Sequence, residues 1–228
     1  MSRPIEIIRF AEPVPYREML ERQRERLRAV QEDQAPPALF LLQHPPVLTV
    51  GRNYHPEHLL CPADRLKALG VDLVPCERGG DITYHGPGQL VAYPILDLRA
   101  WQCSVGWYLR SLEDVLIRLL ATYSLDAERL PGFTGVWVDG AKVAAIGVGV
   151  NKWVTFHGIA LNIDPNMLHF QLIVPCGIGD KPITSLKALL GAAPPFDEVQ
   201  ERFVRCFHSV FEQTPGIMDI MDRMDKLE

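Results

Sequence analysis

One cysteine and one lysine of this sequence have surroundings suited to nucleophilic chemistry. Cys176 lies in PCGIGDKPITS, where small neighbours leave a thiol within reach of a ligand. A free cysteine is mostly protonated at neutral pH, and a nearby cation favours the reactive thiolate. Lys142 opens the apolar stretch VAAIGV, and a lysine turned inward there would suit proton transfer. Lysines are usually exposed, so these residues alone favour an exposed lysine at position 142.

A histidine is the alternative partner for Cys176. His85 or His157 could act as a general base and give a Cys–His hydrolase, although both are better interpreted as orienting or pocket residues. The other four cysteines are expected to pack as small apolar side chains. The five cysteines contain no CxxC pair and the histidines have no metal-ligand spacing, so neither a disulfide framework nor a metal site is predicted.

The run RGGDITYHGPGQLVAYP, residues 78–94, is dense in glycine, aromatic and ionisable residues. Glycines let a ligand approach the backbone closely, and function concentrates on loops held by a rigid scaffold. This composition favours a binding loop over a structural turn. It is not a phosphate loop, because neither GxxxxGK[ST] nor GxGxxG in a strand–loop–helix context occurs.

A ligand pocket should be apolar, with a few polar groups at its mouth. Two triplets of mostly small residues on neighbouring predicted strands would leave room for a chain to lie against the sheet, although tight strand packing explains them equally well. The candidate pocket residues are Arg78, Gly79, Gly80, Asp81, Ile82, Thr83, Tyr84, His85, Ala145, Ile146, Gly147, Gly158, Ile159 and Ala160.

The elements that must position these residues follow from periodicity. Helices are predicted at 15–32, at ADRLKALG ending in Gly70, after the N-cap Ser104, and at 196–213. Asp139-Gly140 between two β-rich runs predicts a hairpin, and WVTFHGIALNI supplies a further strand. ALFLLQ, VLTV and VDLVPCE predict others. We therefore expect one α/β or α+β domain over residues 1–228, with a mixed sheet.

Composition narrows the possible classes of function. The chain has 228 residues, of which 47% are hydrophobic, and a net charge of −5. The negative charge argues against nucleic-acid binding. No apolar run is long enough to span a membrane, and the first 13 residues lack the apolar core of a secretory signal. A cytoplasmic enzyme with no membrane partner is expected.

Several blocks resemble one family in the same order along the chain. Beside residues 78–94 they are QHPPVLTVG (43–51), KVAAIGV (142–148), FHGIALNI (156–163), PCGI (175–178) and TSL (184–186). This pattern resembles the lipoyl(octanoyl) transferase family, the octanoyl-[acyl carrier protein]–protein N-octanoyltransferases. The resemblance, with a core of about 43–186, implies a fold like the catalytic domain of biotin and lipoate protein ligases: a mixed, largely antiparallel sheet flanked by helices.

The resemblance also implies an activity. Octanoyl, or lipoyl, would pass from acyl carrier protein to a lysine of lipoyl domains, in 2-oxoacid dehydrogenases or the glycine cleavage H protein, through a thioester on Cys176. Lys142 would be the acid/base partner, and neither cofactor nor metal is implied. The main alternative is an ATP-dependent lipoate or biotin ligase, and a carrier-binding module without chemistry is another. A basic patch is expected to dock the acidic carrier, with candidates Arg22, Arg24, Arg26, Arg28 and Arg78.

Overall fold

A computed structural model describes residues 4–174 and 181–211. This part of the chain forms five α-helices and ten strands, joined by loops and short 3₁₀ turns. The helices are α1 (Tyr16–Gln31), α2 (Ala63–Ala68), α3 (Val105–Ala121), α4 (Leu186–Leu190) and α5 (Phe196–Phe211). The strands are β1 (Glu6–Arg9), β2 (Ala38–Leu42), β3 (Val47–Val50), β4 (Asp72–Pro75), β5 (Ile82–His85), β6 (Gln89–Ile95), β7 (Ala127–Glu128), β8 (Val136–Val138), β9 (Ala141–Asn151) and β10 (Val154–Asn162).

The strands form two sheets. The larger has seven strands in the order β1-β2-β6-β10-β9-β8-β7, and the smaller has three in the order β4-β3-β5. In the larger sheet β1 and β2 pair in parallel, and the other neighbouring pairs of described strands are antiparallel. The predicted mixed, largely antiparallel sheet is therefore confirmed.

Helices cover both faces of the larger sheet. On one face α3 and α5 bury residues such as Leu112, Leu116 and Phe203 against the strands. On the other, α1 packs Met19 and Leu20 over β2, β6 and β10. The sheet interior is therefore apolar on both sides, which explains why β2 and β6 are continuous buried runs. Among the described residues, no helix has both the length and the apolar character needed to cross a membrane.

Local signals set the element boundaries that matter for the site. Ser104 caps α3 by accepting a hydrogen bond from the Trp107 N–H at 3.2 Å. Asp139 and Gly140 have φ values of 50° and 73°, as the predicted two-residue turn between β8 and β9 requires. Both predictions are confirmed, as is the strand β10 that follows.

The two small-residue triplets lie directly opposite each other. Across β9 and β10, Gly147 pairs with Gly158, Ile146 with Ile159, and Ala145 with Ala160. The expectation that they occupy neighbouring strands is confirmed. One expectation needs correction: residues 82–85 form β5 of the smaller sheet, so the predicted binding loop is reduced to short turns around a buried strand. The single domain over residues 1–228 stays a prediction.

Candidate active site

A cleft of about 450 Å³, its open mouth included, lies between the two sheets. Strands β9 and β10 form one wall, and the segment that leads into β5 forms another. Eleven of the fourteen predicted pocket residues line it. They are Arg78, Gly79, Gly80, Thr83, His85, Ala145, Ile146, Gly147, Gly158, Ile159 and Ala160. The structure therefore brings residues 78–85 against the β9–β10 hairpin, which is distant from them in the sequence.

The two central positions of this wall, 147 and 158, hold glycine for different reasons. A Cβ on Gly158 would come within 2.3 Å of the Ala92 carbonyl oxygen on β6, so close strand packing requires glycine there. A Cβ on Gly147 would lie 3.1 Å from Cδ of Arg78, across the cleft. Tight packing therefore explains Gly158, whereas Gly147 keeps the space that the Arg78 side chain and the cleft occupy.

Arg78 is buried beside the cleft, in a segment that contacts both sheets. Its Nη2 donates to the Thr49 carbonyl oxygen at 2.6 Å, and its Nε donates to Thr49 Oγ1 at 3.2 Å. The backbone N–H of Gly79 donates to the Val148 carbonyl oxygen on β9 at 2.8 Å. Arg78 thus binds the smaller sheet while its neighbour binds the larger one.

A histidine–tyrosine cluster, Tyr16, His44, His85, Tyr93 and His157, adjoins the cleft. The ring of His85 stacks on Tyr16 with 6.1 Å between centroids and an interplanar angle of 8°. His44 Nδ1 lies 2.6 Å from the Val14 carbonyl oxygen, and its Nε2 lies 2.8 Å from the Tyr93 hydroxyl. A neutral imidazole that donates through Nδ1 and accepts through Nε2 satisfies both contacts.

Burial keeps the histidines of this cluster neutral. It lowers the pKa of His44 from 6.5 to about 4, and burial followed by the charge of Arg78 lowers the pKa of His157 to about 3. Burial, followed by the neighbouring His44, lowers the pKa of His85 well below its usual range. Imidazoles of such low basicity are poor proton acceptors, which argues against the Cys–His hydrolase alternative.

Lys142 is turned inward, with 7% of its surface exposed, so the exposed alternative is wrong. It lines a second cavity of about 300 Å³, and its Nζ lies 5.2 Å from the centre of the Trp137 ring. The cavity also includes Tyr84, Gln89, Asn162, Phe170 and Ile183. Thr83, Ala145 and Ala160 line both this cavity and the cleft, so the lysine lies at one end of a shared wall.

The chain that follows the PCGI block runs beside Lys142. The Lys142 N–H donates to the Pro182 carbonyl oxygen at 2.8 Å, and the Thr184 N–H donates to the Lys142 carbonyl oxygen at 2.9 Å. Asn162 holds the same segment by donating from Nδ2 to the Thr184 carbonyl oxygen at 3.0 Å. Cys176 itself lies outside the described residues.

Three predicted pocket residues do not line the cleft. Asp81 accepts hydrogen bonds from the backbone N–H groups of Ile82 at 2.8 Å and His55 at 3.2 Å, and it pairs with the His58 ring. Ile82 packs in the core under the smaller sheet. Tyr84 lines the second cavity, where its hydroxyl lies 2.9 Å from His169 Nδ1. Their role in ligand binding stays a prediction.

Most of the helix arginines expected to dock an acidic carrier already form ion pairs with carboxylates of this chain. Of the four on α1, three form ion pairs with carboxylates, and Arg78 is buried. The pairs are Arg22 with Glu18, Arg24 with Glu21 and Glu77, and Arg26 with Glu6. Exposed ion pairs are weak and leave these side chains able to exchange partners, so the docking surface stays a prediction.

The fold is similar to that of solved lipoate protein ligases. A cleft walled by small residues, with a buried lysine at one end, is of the kind that binds a small ligand. Lipoate-protein ligase A bound with ATP has a similar fold, with a TM-score of 0.75 at 14% identity, covering 92% of this chain and 86% of that one. A bipartite lipoate protein ligase from Thermoplasma acidophilum is similar with a TM-score of 0.72 at 15% identity, covering 92% and 85%.

Sequence comparison gives the family. The model of the lipoyl protein ligase A/B catalytic domain matches residues 15–208, and the chain belongs to this family. It is 49% identical to an octanoyltransferase of Solibacter usitatus, over 89% of this chain and 92% of that one. It is 46% identical to an octanoyltransferase of Chloroflexus aggregans, over 89% and 93%. The resemblance found in the sequence motifs is therefore confirmed.

Proposed function

We propose that this protein is an octanoyltransferase that moves octanoyl from acyl carrier protein to a lysine of a lipoyl domain. The observation that carries the proposal is the buried Lys142 at the end of a wall of small residues, in a chain whose relatives are octanoyltransferases. From Lys142 to Gly147 the strand β9 rises roughly 16 Å, at about 3.3 Å per residue. An extended octanoyl chain fits along that length.

The chemistry would run through Cys176. Its thiolate attacks the carbonyl carbon of the carrier thioester, and the tetrahedral intermediate collapses to acyl-Cys176 and the carrier thiolate, which takes a proton from the Lys142 ammonium. The amine of the acceptor lysine then attacks the acyl-enzyme. Lys142 takes the amine proton as the amide forms, and Cys176 leaves as the thiolate. Because a thioester is already activated, no nucleotide takes part.

The partners follow from this reaction. The donor would be octanoyl, or lipoyl, on the phosphopantetheine thiol of an acyl carrier protein. The acceptor would be a lipoyl domain of a 2-oxoacid dehydrogenase or the glycine cleavage H protein. Both are proposed from the family that the sequence motifs resemble, and the name of the relatives supports octanoyl as the group transferred. The cytoplasmic location also stays a prediction.

The alternative, an ATP-dependent ligase, shares the fold, and one experiment separates the two. Purified protein is mixed with apo lipoyl domain and either octanoyl-carrier alone, or octanoate with ATP and magnesium. The acylated domain, detected by mass spectrometry, is expected with the thioester alone. Product only in the second mixture would assign the chain to the ligases.

The nucleophile is tested by substitution. Cys176→Ala should abolish both the acyl adduct and the transfer, because no other thiol takes its place. Cys103→Ala is the matched control, since Cys103 is an exposed free cysteine. This variant should transfer at the wild-type rate. An octanoyl adduct mapped to any cysteine other than Cys176 would refute the assignment.

A further inference from the structure

A tryptophan lies beneath the side chain of Lys142. Trp137 on β8 pairs directly with Lys142 on β9, so both side chains project from the same face of the sheet. Trp137 is 1% exposed, and Lys142 Nζ lies 5.2 Å from its ring centre. An ammonium within about 6 Å of an aromatic ring is attracted by the electron-rich face. The indole ring thus favours one position of the lysine side-chain nitrogen.

A glycine leaves space for the lysine stem. Gly135 has a φ of 127°, and a Cβ there would lie 2.6 Å from Lys142 Cε and 2.7 Å from the Ala144 carbonyl oxygen. Its N–H points at Glu113 Oε1, 3.3 Å away, and Glu113 is itself buried and paired with Arg110 and Arg129. The turn before β8 is therefore held by a buried ion network on one side and packs against the lysine on the other.

A second aromatic ring extends this arrangement. Phe133 packs edge-to-face on Trp137 with 6.1 Å between ring centres, and Lys181 Nζ lies 5.6 Å from the centre of the Phe133 ring. Each of two adjacent aromatic rings therefore faces one lysine. Lys181 leads into Pro182, the residue whose carbonyl accepts from the Lys142 N–H. The aromatic pair contacts both chain segments that meet at Lys142.

We propose that Trp137 is a positioning residue for the proton-transfer lysine. Its ring face holds the Lys142 ammonium against the second cavity, while Gly135 leaves room for the side-chain stem. This inference rests on the proposed function, since it assigns Lys142 the acid/base role. A purely structural Trp137 would support the core of β8 and affect stability without affecting proton transfer.

The first test replaces the ring while keeping an apolar side chain. Trp137→Leu removes the π face and should lower kcat for octanoyl transfer by roughly tenfold to a hundredfold, as misplaced catalytic groups do, with a small change in KM. Trp137→Phe keeps an aromatic face and should restore most of the rate. Trp101→Leu is the matched control, because Trp101 is also buried but binds the Phe211 carbonyl oxygen, away from Lys142.

A second test leaves the shape of the side chain intact. Fluorinated tryptophans weaken the ring's attraction for a cation in proportion to the number of fluorines, so the logarithm of kcat should fall steadily across the series. The same labelling in Trp137→Phe should show no dependence on fluorine, which removes the contribution of the other three tryptophans. This series tests whether the Trp137 ring positions Lys142 even if the Trp137→Leu variant does not fold.

The outcomes separate the inference from the function on which it rests. Unlabelled wild-type protein must first acylate the lipoyl domain, and failure at that step refutes the proposed function. With transfer established, a flat fluorine series, or a Trp137→Leu rate equal to that of Trp101→Leu, would overturn the positioning role alone. A fall in rate with each fluorine, absent in Trp137→Phe, supports it.

Discussion

Ala145 and Ala160 lie opposite each other on β9 and β10, and both line the cleft as well as the second cavity that holds Lys142. The side chains of β9 and β10 that line both the cleft and the second cavity are therefore no larger than a methyl group. The lysine end and the cleft end are therefore continuous along small side chains, as an acyl chain with its carbonyl near Lys142 would require.

The first prediction concerns this narrow point. Ala145→Leu places three extra carbons in the shared wall, so octanoyl transfer should fall by at least tenfold while transfer of a butanoyl group is retained. The measurement is kcat/KM for carriers loaded with acyl chains of different length. Ala121→Leu on the exposed end of α3 is the control and should change neither value. Equal losses for short and long chains in Ala145→Leu would contradict the placement of the acyl chain.

The second prediction concerns the acid/base role of Lys142. Lys142→Arg keeps a positive charge but cannot release its proton, so transfer to the acceptor lysine should fall by about 10²–10⁴-fold. The measurement is single-turnover decay of preformed acyl-enzyme in the presence of apo lipoyl domain. Lys152→Arg, an exposed lysine in the β9–β10 turn, should behave as wild type. A near-normal rate for Lys142→Arg would leave only an electrostatic role for the lysine.

The third prediction compares two glycines with positive φ in neighbouring turns. Gly140 has a φ of 73° and open space where a Cβ would lie, whereas a Cβ on Gly135 meets Lys142 and Ala144. Gly140→Ala should therefore cost about 1 kcal/mol of unfolding free energy, from backbone strain alone, and keep kcat. Gly135→Ala should cost more and also lower kcat. Thermal or denaturant unfolding together with the transfer assay tests both, and equal effects of the two substitutions would refute the contact with the lysine.

The fourth prediction concerns pH and the histidine–tyrosine cluster. Burial lowers the pKa of His44 from 6.5 to about 4, so between these pH values the unfolded chain binds a proton that the folded chain does not. The free energy of unfolding is unaffected by His44 above pH 6.5 and should decrease as the pH falls from 6.5 to 4. His44→Gln should reduce this slope without abolishing it, because the buried His85 and His157 contribute in the same direction. An unaltered slope in His44→Gln would contradict the prediction.

The sequence predicted those parts of the site that depend on local backbone conformation. The Asp139-Gly140 turn follows from backbone conformation alone, and a hairpin followed by a third strand places Ala145 and Ala160 on adjacent strands. Both tyrosines of the histidine–tyrosine cluster line the cleft and were not predicted, whereas His157, which also lines it, was interpreted as an orienting or pocket residue. Tyr16 reaches the cleft from α1, and Tyr93 reaches it from β6. Only the packing of α1 on the sheet brings these two side chains together.

The environment of Lys142 was predicted only in part. Its inward direction followed from the family resemblance, since the residues alone favoured an exposed lysine. The contact of Trp137 with Lys142 was not predicted, although the two-residue Asp139-Gly140 turn itself pairs the two residues; the register irregularity lies one residue further, between Val136 and Trp137. Ile183 was also missed, because its approach to β9 is a long-range contact with no local signal.

The origin of the cleft walls in two different sheets has a mechanical consequence. Backbone ladders fix each wall internally, but between the two sheets the described contacts are side-chain packing and a few hydrogen bonds, among them those from the Gly79 N–H to the Val148 carbonyl oxygen and from Gln89 Nε2 to the Tyr84 carbonyl oxygen. Fewer backbone hydrogen bonds therefore cross between the two walls than hold the strands of either wall together. A change of a few tenths of an ångström in the distance between the walls would alter the width available to a substrate without breaking a strand pair in either sheet.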